Sequence, residues 1–141
     1  MQLDDLYRRV IMDHYKNPRN RGKFEDGSVQ VDLNNPTCGD RITLQMKVQD
    51  GVIEAARFVG EGCSISMASA SMMTDAIKGK TLEQAVELAE RFSAMMQGED
   101  AEFEYEDLEA LSGVNKFPAR IKCAMLAWNA LRKGAQQAKH H

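Results

Sequence analysis

The sequence predicts an α+β fold, a three-stranded antiparallel sheet with helices packed on one face. Three observations carry that prediction. Residues 29–33 (VQVDL), 42–48 (ITLQMKV) and 52–59 (VIEAARFV) alternate apolar and polar side chains, the period-two pattern of half-buried strands. Asp50-Gly51 sits between the second and third, and this dipeptide between alternating runs is a strong hairpin signal. On either side of the block the apolar period lengthens to that of helices. The chain has 141 residues, 43% of them apolar, which suits a single domain over 1–141 with one core and no staples.

The first helix is predicted from Leu3, Leu6, Tyr7, Val10, Ile11 and His14, which follow i, i+3, i+4, i+7 spacing. Asn17-Pro18 ends it, because proline disfavours the α conformation in the residue before it. His14 lies on the apolar stripe and reads as a packed, hydrogen-bonded histidine ahead of a metal ligand. After the three strands, Ile65, Met67, Ala68, Met72, Met73, Ala76 and Ile77 mark a helix ending at Gly79. Thr81 and Gln84 form a capping box for the next one, whose apolar face is Leu82, Ala85, Val86, Leu88, Ala89 and Phe92. Residues 97–118 are acidic and broken by Gly98, Gly113 and Pro118, so short turns with at most one short helix are expected. A last helix runs from about Arg120 to Gln137, with Ile121, Ala124, Met125, Trp128 and Leu131 on its apolar face.

Composition excludes several classes of function. No stretch of 18 apolar residues exists, and MQLDDLYRRV lacks the apolar core of an export signal, so a cytoplasmic protein without a membrane span is expected. The net charge of −3 is unevenly spread. Arg8, Arg9, Lys16, Arg19, Arg21 and Lys23 crowd the N-terminal run, while seven acids and no base fall within 99–109. Either run is a solvated face or a docking face for a partner of opposite charge. Nucleic acid binding is not expected, because the basic run holds only Tyr7, Tyr15 and Phe24 as aromatics and no RNA-binding motif.

Three cysteines cannot all pair with one another, and in a reducing compartment they are ligands, nucleophiles or core residues. Cys38 lies in the Pro- and Gly-marked loop PTCGD, Cys63 in the turn before the first core helix, and Cys123 at the predicted start of the last helix. A helix N-terminus stabilises a thiolate, which favours reactive or ligating thiols at the latter two. Asp40, two residues after Cys38, adds a fourth donor, and three thiolates with a carboxylate meet the coordination number of Zn²⁺. The cysteines are 25 and 60 residues apart and match no zinc-finger spacing, so the residues alone leave open a metal site or three independent small hydrophobes.

Four segments together carry a specific resemblance: Asp13-His14-Tyr15-Lys16-Asn17-Pro18-Arg19-Asn20, Asn35-Pro36-Thr37-Cys38-Gly39-Asp40, Gly60-Glu61-Gly62-Cys63-Ser64-Ile65-Ser66, and Cys123 near the head of the last helix. With Cys123 read as heading the last helix, the chain over nearly its whole length resembles the IscU/NifU N-terminal family of iron–sulfur cluster assembly proteins. The resemblance implies a metal site at one end of the α+β fold, with Cys38, Asp40, Cys63 and Cys123 as ligands of zinc or of a cluster. Scaffold members carry His before the third cysteine and a Leu-Pro-Pro-Val-Lys segment upstream. Here Lys122 precedes Cys123, Lys116-Phe117-Pro118-Ala119-Arg120 fills the upstream place, and the stretch between Cys63 and Cys123 is longer.

Those departures resemble the SufU branch. They imply a zinc-dependent sulfurtransferase that accepts persulfide sulfur from a SufS-type cysteine desulfurase and passes it to downstream cluster assembly scaffold proteins. Cys38 is then the acceptor, and Arg120, three residues before Cys123, either pairs with Asp40 or a liberated thiolate or is a solvated side chain. Two alternatives stand beside this reading. One is an IscU-like scaffold holding iron or a [2Fe–2S] cluster on the same ligands, and the other is a non-catalytic adaptor in which zinc only supports the fold.

Overall fold

A computed structural model describes residues 3–25, 28–36 and 39–139. Helix α1 (Leu3–Lys16) leads into strands β1 (Val29–Asn35), β2 (Asp40–Gln49) and β3 (Val52–Glu61). Helices α2 (Ser64–Ile77) and α3 (Leu82–Met96) follow, then a 3₁₀ segment (Glu106–Lys116) and the long helix α4 (Pro118–Lys139). The sheet order is β1-β2-β3, antiparallel throughout, as the alternation predicts. Asp50 and Gly51 both take positive φ, 52° and 77°, the conformation of a type I′ hairpin turn. The β2–β3 register slips beside Lys47/Val48, so Ile53 points to the same face as Ala56 and Phe58 despite its odd spacing.

One face of the sheet carries the core. Val31, Ile42, Leu44, Met46, Ile53 and Phe58 bury against α4, which crosses β1 and β2, and against α2, which lies on β3. Helix α2 is buried on nearly every side and α4 is sandwiched between the sheet and the other helices, which is why Cys123 through Trp128 are all buried. Trp128 stacks on Phe92 with centroids 4.8 Å apart, and its indole N–H donates to Ser69 Oγ at 3.1 Å, so the largest core ring leaves no polar atom unpaired. On the opposite face Phe24 lies beneath the cations of Lys47 and Arg57, 4.7 and 4.9 Å from its ring centroid.

Three expectations change in detail. The first two strands run further than their alternation, so that Asn35 pairs with Asp40 and brings the ends of β1 and β2 together. Helix α4 begins at Pro118, a residue suited to the first helical position because its missing N–H has no helical partner there. Cys123 therefore sits in the second turn, 4% exposed, rather than at the helix mouth, beyond the first-turn amides that would stabilise a thiolate there. Within the acidic stretch the short helix allowed for is an eleven-residue 3₁₀ segment, longer than expected, with Leu108, Ala110, Leu111 and Val114 buried. The capping box of α3 forms as predicted, Thr81 Oγ1 accepting from the Gln84 amide and Gln84 Oε1 from the Thr81 amide.

Candidate metal centre

The donors come from three elements that meet at one end of the sheet. Asp40 is the first residue of β2, fixed by its pairing with Asn35. Cys63 is the N-cap of α2, and its Sγ accepts the Ser66 N–H at 3.5 Å in the place where a serine or aspartate oxygen commonly sits. Cys123 reaches in from the second turn of α4. One ligand atom each from Asp40, Cys63 and Cys123 all lie within 4.8 Å of one another. Thiolates around a single tetrahedral zinc lie about 3.8 Å apart, as follows from a Zn–S bond of about 2.3 Å, so a small contraction would seat one ion.

Two further observations test whether the residues suit a cation. Asp40 is 1% exposed; its Oδ1 accepts the Cys63 amide at 3.1 Å, while Oδ2 is buried with no hydrogen-bond partner among the described residues. A buried carboxylate oxygen without a partner is costly, and a cation held with two thiols would satisfy it. Gly62 is the second. A Cβ built there would stand 2.5 Å from both Asp40 Oδ1 and Ser66 Oγ, so only glycine lets the carboxylate and the α2 cap close on each other. The donor set, two sulfurs and an oxygen, fits a thiophilic divalent ion.

Of the residues expected at the site, the structure thus brings together Asp40, Cys63 and Cys123. Cys38 lies outside the described residues; in sequence it falls between Asn35 and Asp40, whose strands close beside the donors. Arg120 is exposed on the first turn of α4, its guanidinium 6.0 Å from the Phe117 ring centroid. Arg41, next to Asp40, pairs with Glu61 at 2.8 Å on the surface. His14 is not a donor here: Nε2 contacts Asp107 Oδ2 at 2.8 Å and Nδ1 contacts Ser71 Oγ at 2.7 Å, the packed histidine expected. The roles of Gly62 and Ser66 escape the sequence reading, although both lie inside the quoted Gly60–Ser66 motif.

Known proteins resemble the chain along almost all of it. The family model described as the NifU-like N-terminal domain matches residues 6–141. The zinc-dependent sulfurtransferase SufU of Bacillus subtilis (strain 168) is 64% identical over 134 residues, covering 94% of this chain and 90% of that protein. The iron–sulfur cluster assembly scaffold protein IscU of Streptococcus pyogenes serotype M1 is 50% identical, covering 97% and 87%. Among solved structures, FiSufU from the thermophile Fervidobacterium islandicum AW-1 is 33% identical with a TM-score of 0.80, covering 89% of this chain and 93% of that one.

Proposed function

The chain belongs to the NifU-like N-terminal domain family, and we propose that it acts there as a zinc-dependent sulfurtransferase of iron–sulfur cluster biogenesis. The observation that carries this reading is its similarity to the Bacillus subtilis protein of that name. The cluster of Asp40, Cys63 and Cys123 supplies chemistry that suits it. Cys38, Asp40, Cys63 and Cys123 would hold the zinc. When bound, zinc supplies a redox-inert dication that keeps thiols deprotonated.

Cys38 is the acceptor. Its thiolate attacks the outer sulfur of a persulfide on a SufS-type cysteine desulfurase. The donor's sulfur–sulfur bond breaks, its cysteine leaves as thiolate, and the new bond leaves Cys38 as the persulfide, so sulfur changes hosts without an outside oxidant. Asp40, held by the Cys63 amide, keeps a second buried oxygen free of hydrogen bonds among the described residues. Arg120 offers a positive charge from the exposed first turn of α4. The sulfur then passes to cluster assembly scaffold proteins in the cytoplasm. No helix among the described residues is long and apolar enough to cross a membrane.

The test is to incubate the zinc-loaded chain with desulfurase and cysteine under anaerobic conditions and map the adduct by mass spectrometry. One sulfur, about +32 Da, is expected on Cys38, together with a faster desulfurase turnover. Cys38→Ala should stay folded and lose transfer. If that variant keeps transfer and loses only thermal stability, zinc is a structural ion and the reading fails. The similarity to the Streptococcus pyogenes scaffold supports a second reading, a platform for a [2Fe–2S] cluster. A chain purified anaerobically with iron and sulfide, and without effect on the desulfurase rate, would establish that one.

A further inference from the structure

A groove of about 530 Å³ opens between α1 and the 3₁₀ segment and ends at Ser64 and Ile65, the two residues that follow Cys63. Its lining combines apolar Ile11, Met12 and Phe117 with basic Arg8, Lys116 and Arg120. No acidic side chain lines it among the described residues, although the chain as a whole carries three more acids than bases. Phe117 is 57% exposed, the most open large apolar side chain among the described residues, and Arg120 lies across its face. One groove wall belongs to the acidic insertion, yet that insertion turns Ser112, Asn115 and Lys116 inward to the groove.

We infer that this groove receives an acidic segment of the sulfur donor, carrying a large apolar anchor that packs on Phe117 and Met12. The inference rests on the sulfur-transfer reading and names the surface by which that partner is held. Charge complementarity identifies the occupant: three cations with no compensating acid repel a basic segment and steer an acidic one. The apolar lining asks for a side chain that buries there, since a purely polar segment would leave Phe117 in water. The position supplies the purpose. A segment lying in the groove is tethered within a few residues of Cys63, so the persulfide is presented to the metal end and not to the far end of α4.

The experiment measures the dissociation constant of the zinc-loaded chain for a SufS-type desulfurase by calorimetry, without cysteine, at two salt concentrations. Arg8→Glu combined with Lys116→Glu should weaken binding by about tenfold or more and flatten its salt dependence. Phe117→Ser should weaken it while leaving the salt dependence as it was. All three positions are exposed, so the fold should survive, and circular dichroism checks this. Reversal of Arg132 and Lys133, on the distal half of α4, should change affinity less than twofold. Wild-type binding with an unchanged constant in the groove variants overturns this inference alone. A wild-type chain that neither binds the desulfurase nor takes up sulfur overturns the sulfur-transfer reading and this inference with it. Dimers of the chain that the Arg8/Lys116 reversal abolishes, with desulfurase binding untouched, would assign the groove to a second copy and overturn it as well.

Discussion

Asp40 shows how a single residue's surroundings report on its chemistry. In sequence it is one acid among 21 acidic side chains, singled out only by its place after Cys38. Folded, it is buried, its Oδ2 has no hydrogen-bond partner among the described residues, and one of its oxygens lies within 4.8 Å of both the Cys63 and Cys123 thiols. Gly62 makes that arrangement possible, and its replacement is a direct test. In Gly62→Ala the new methyl meets Asp40 Oδ1 and Ser66 Oγ at 2.5 Å, so the carboxylate or the cap of α2 must move. Competition with a chromophoric chelator should then show zinc affinity lower by about 10- to 100-fold, the usual effect of disturbing the groups that orient metal ligands. Affinity equal to wild type would mean that Asp40 is not a ligand. That Asp40, Cys63 and Cys123 come together was an expectation of the family resemblance, since thiol and carboxylate types alone left a metal site and three small hydrophobes both open. The roles of Gly62 and Ser66 were not legible in the sequence, because they arise only when the pairing of β1 and β2 brings Asp40 onto the cap of α2.

At the scale of elements, strands were easier to read than the acidic insertion, and the periods explain why. Alternation in β1–β3 has a period of two, and the Asp50-Gly51 turn marks its fold-back. The insertion buries Leu108, Ala110, Leu111 and Val114, a spacing that is not the period of two of a strand. Gly98, Gly113 and Pro118 interrupt any longer helical pattern, so its 3₁₀ segment is not marked by one clear period. Packing sustains that segment well beyond the usual length. Leu108 and Leu111 are fully buried, and Asp107 reaches His14 of α1. His14 is itself fully buried, with Ser71 on its other nitrogen, so it ties together α1, α2 and the insertion. Asp107→Ala would leave the Nε2 of a buried imidazole unpaired. The expected loss is about 1–3 kcal/mol, read as a melting point roughly 3–10 °C lower. Asp107→Asn, which keeps an acceptor oxygen, should recover most of it. An unchanged melting point in the alanine variant would show that the insertion is held by its leucines alone.

For the whole molecule, the N-terminal helix and the acidic insertion, which the sequence offered as separate surface or docking faces, lie against each other. Helix α1 packs against the 3₁₀ segment, His14 meets Asp107, and Arg19 pairs with Asp13 at 2.7 Å. Linear charge runs could not show this, because the neighbours of α1 are some ninety residues away in the chain. The same clasp makes stability depend on pH in a definite direction. Tyr105, at the mouth of the insertion, has its phenol pKa raised, chiefly by burial and then by the hydrogen bond it donates to Asp75 at 2.9 Å. A raised pKa means that the folded chain keeps the proton after the unfolded chain has begun to lose it, near pH 10. The contribution is therefore complete below about pH 10 and declines as pH rises beyond it. Asp13 behaves oppositely: the hydrogen bond from Arg19 lowers its pKa, so its part is complete above the ordinary carboxylate range and is lost on acidification. Urea unfolding of wild type and Tyr105→Phe should accordingly show a gap of about 1 kcal/mol at pH 8 that narrows steadily toward pH 11, as wild type alone loses the advantage of a retained phenol proton. A gap that stays constant across that range would mean that Tyr105 ionises equally in both states, and that its bond to Asp75 does not couple the insertion to α2.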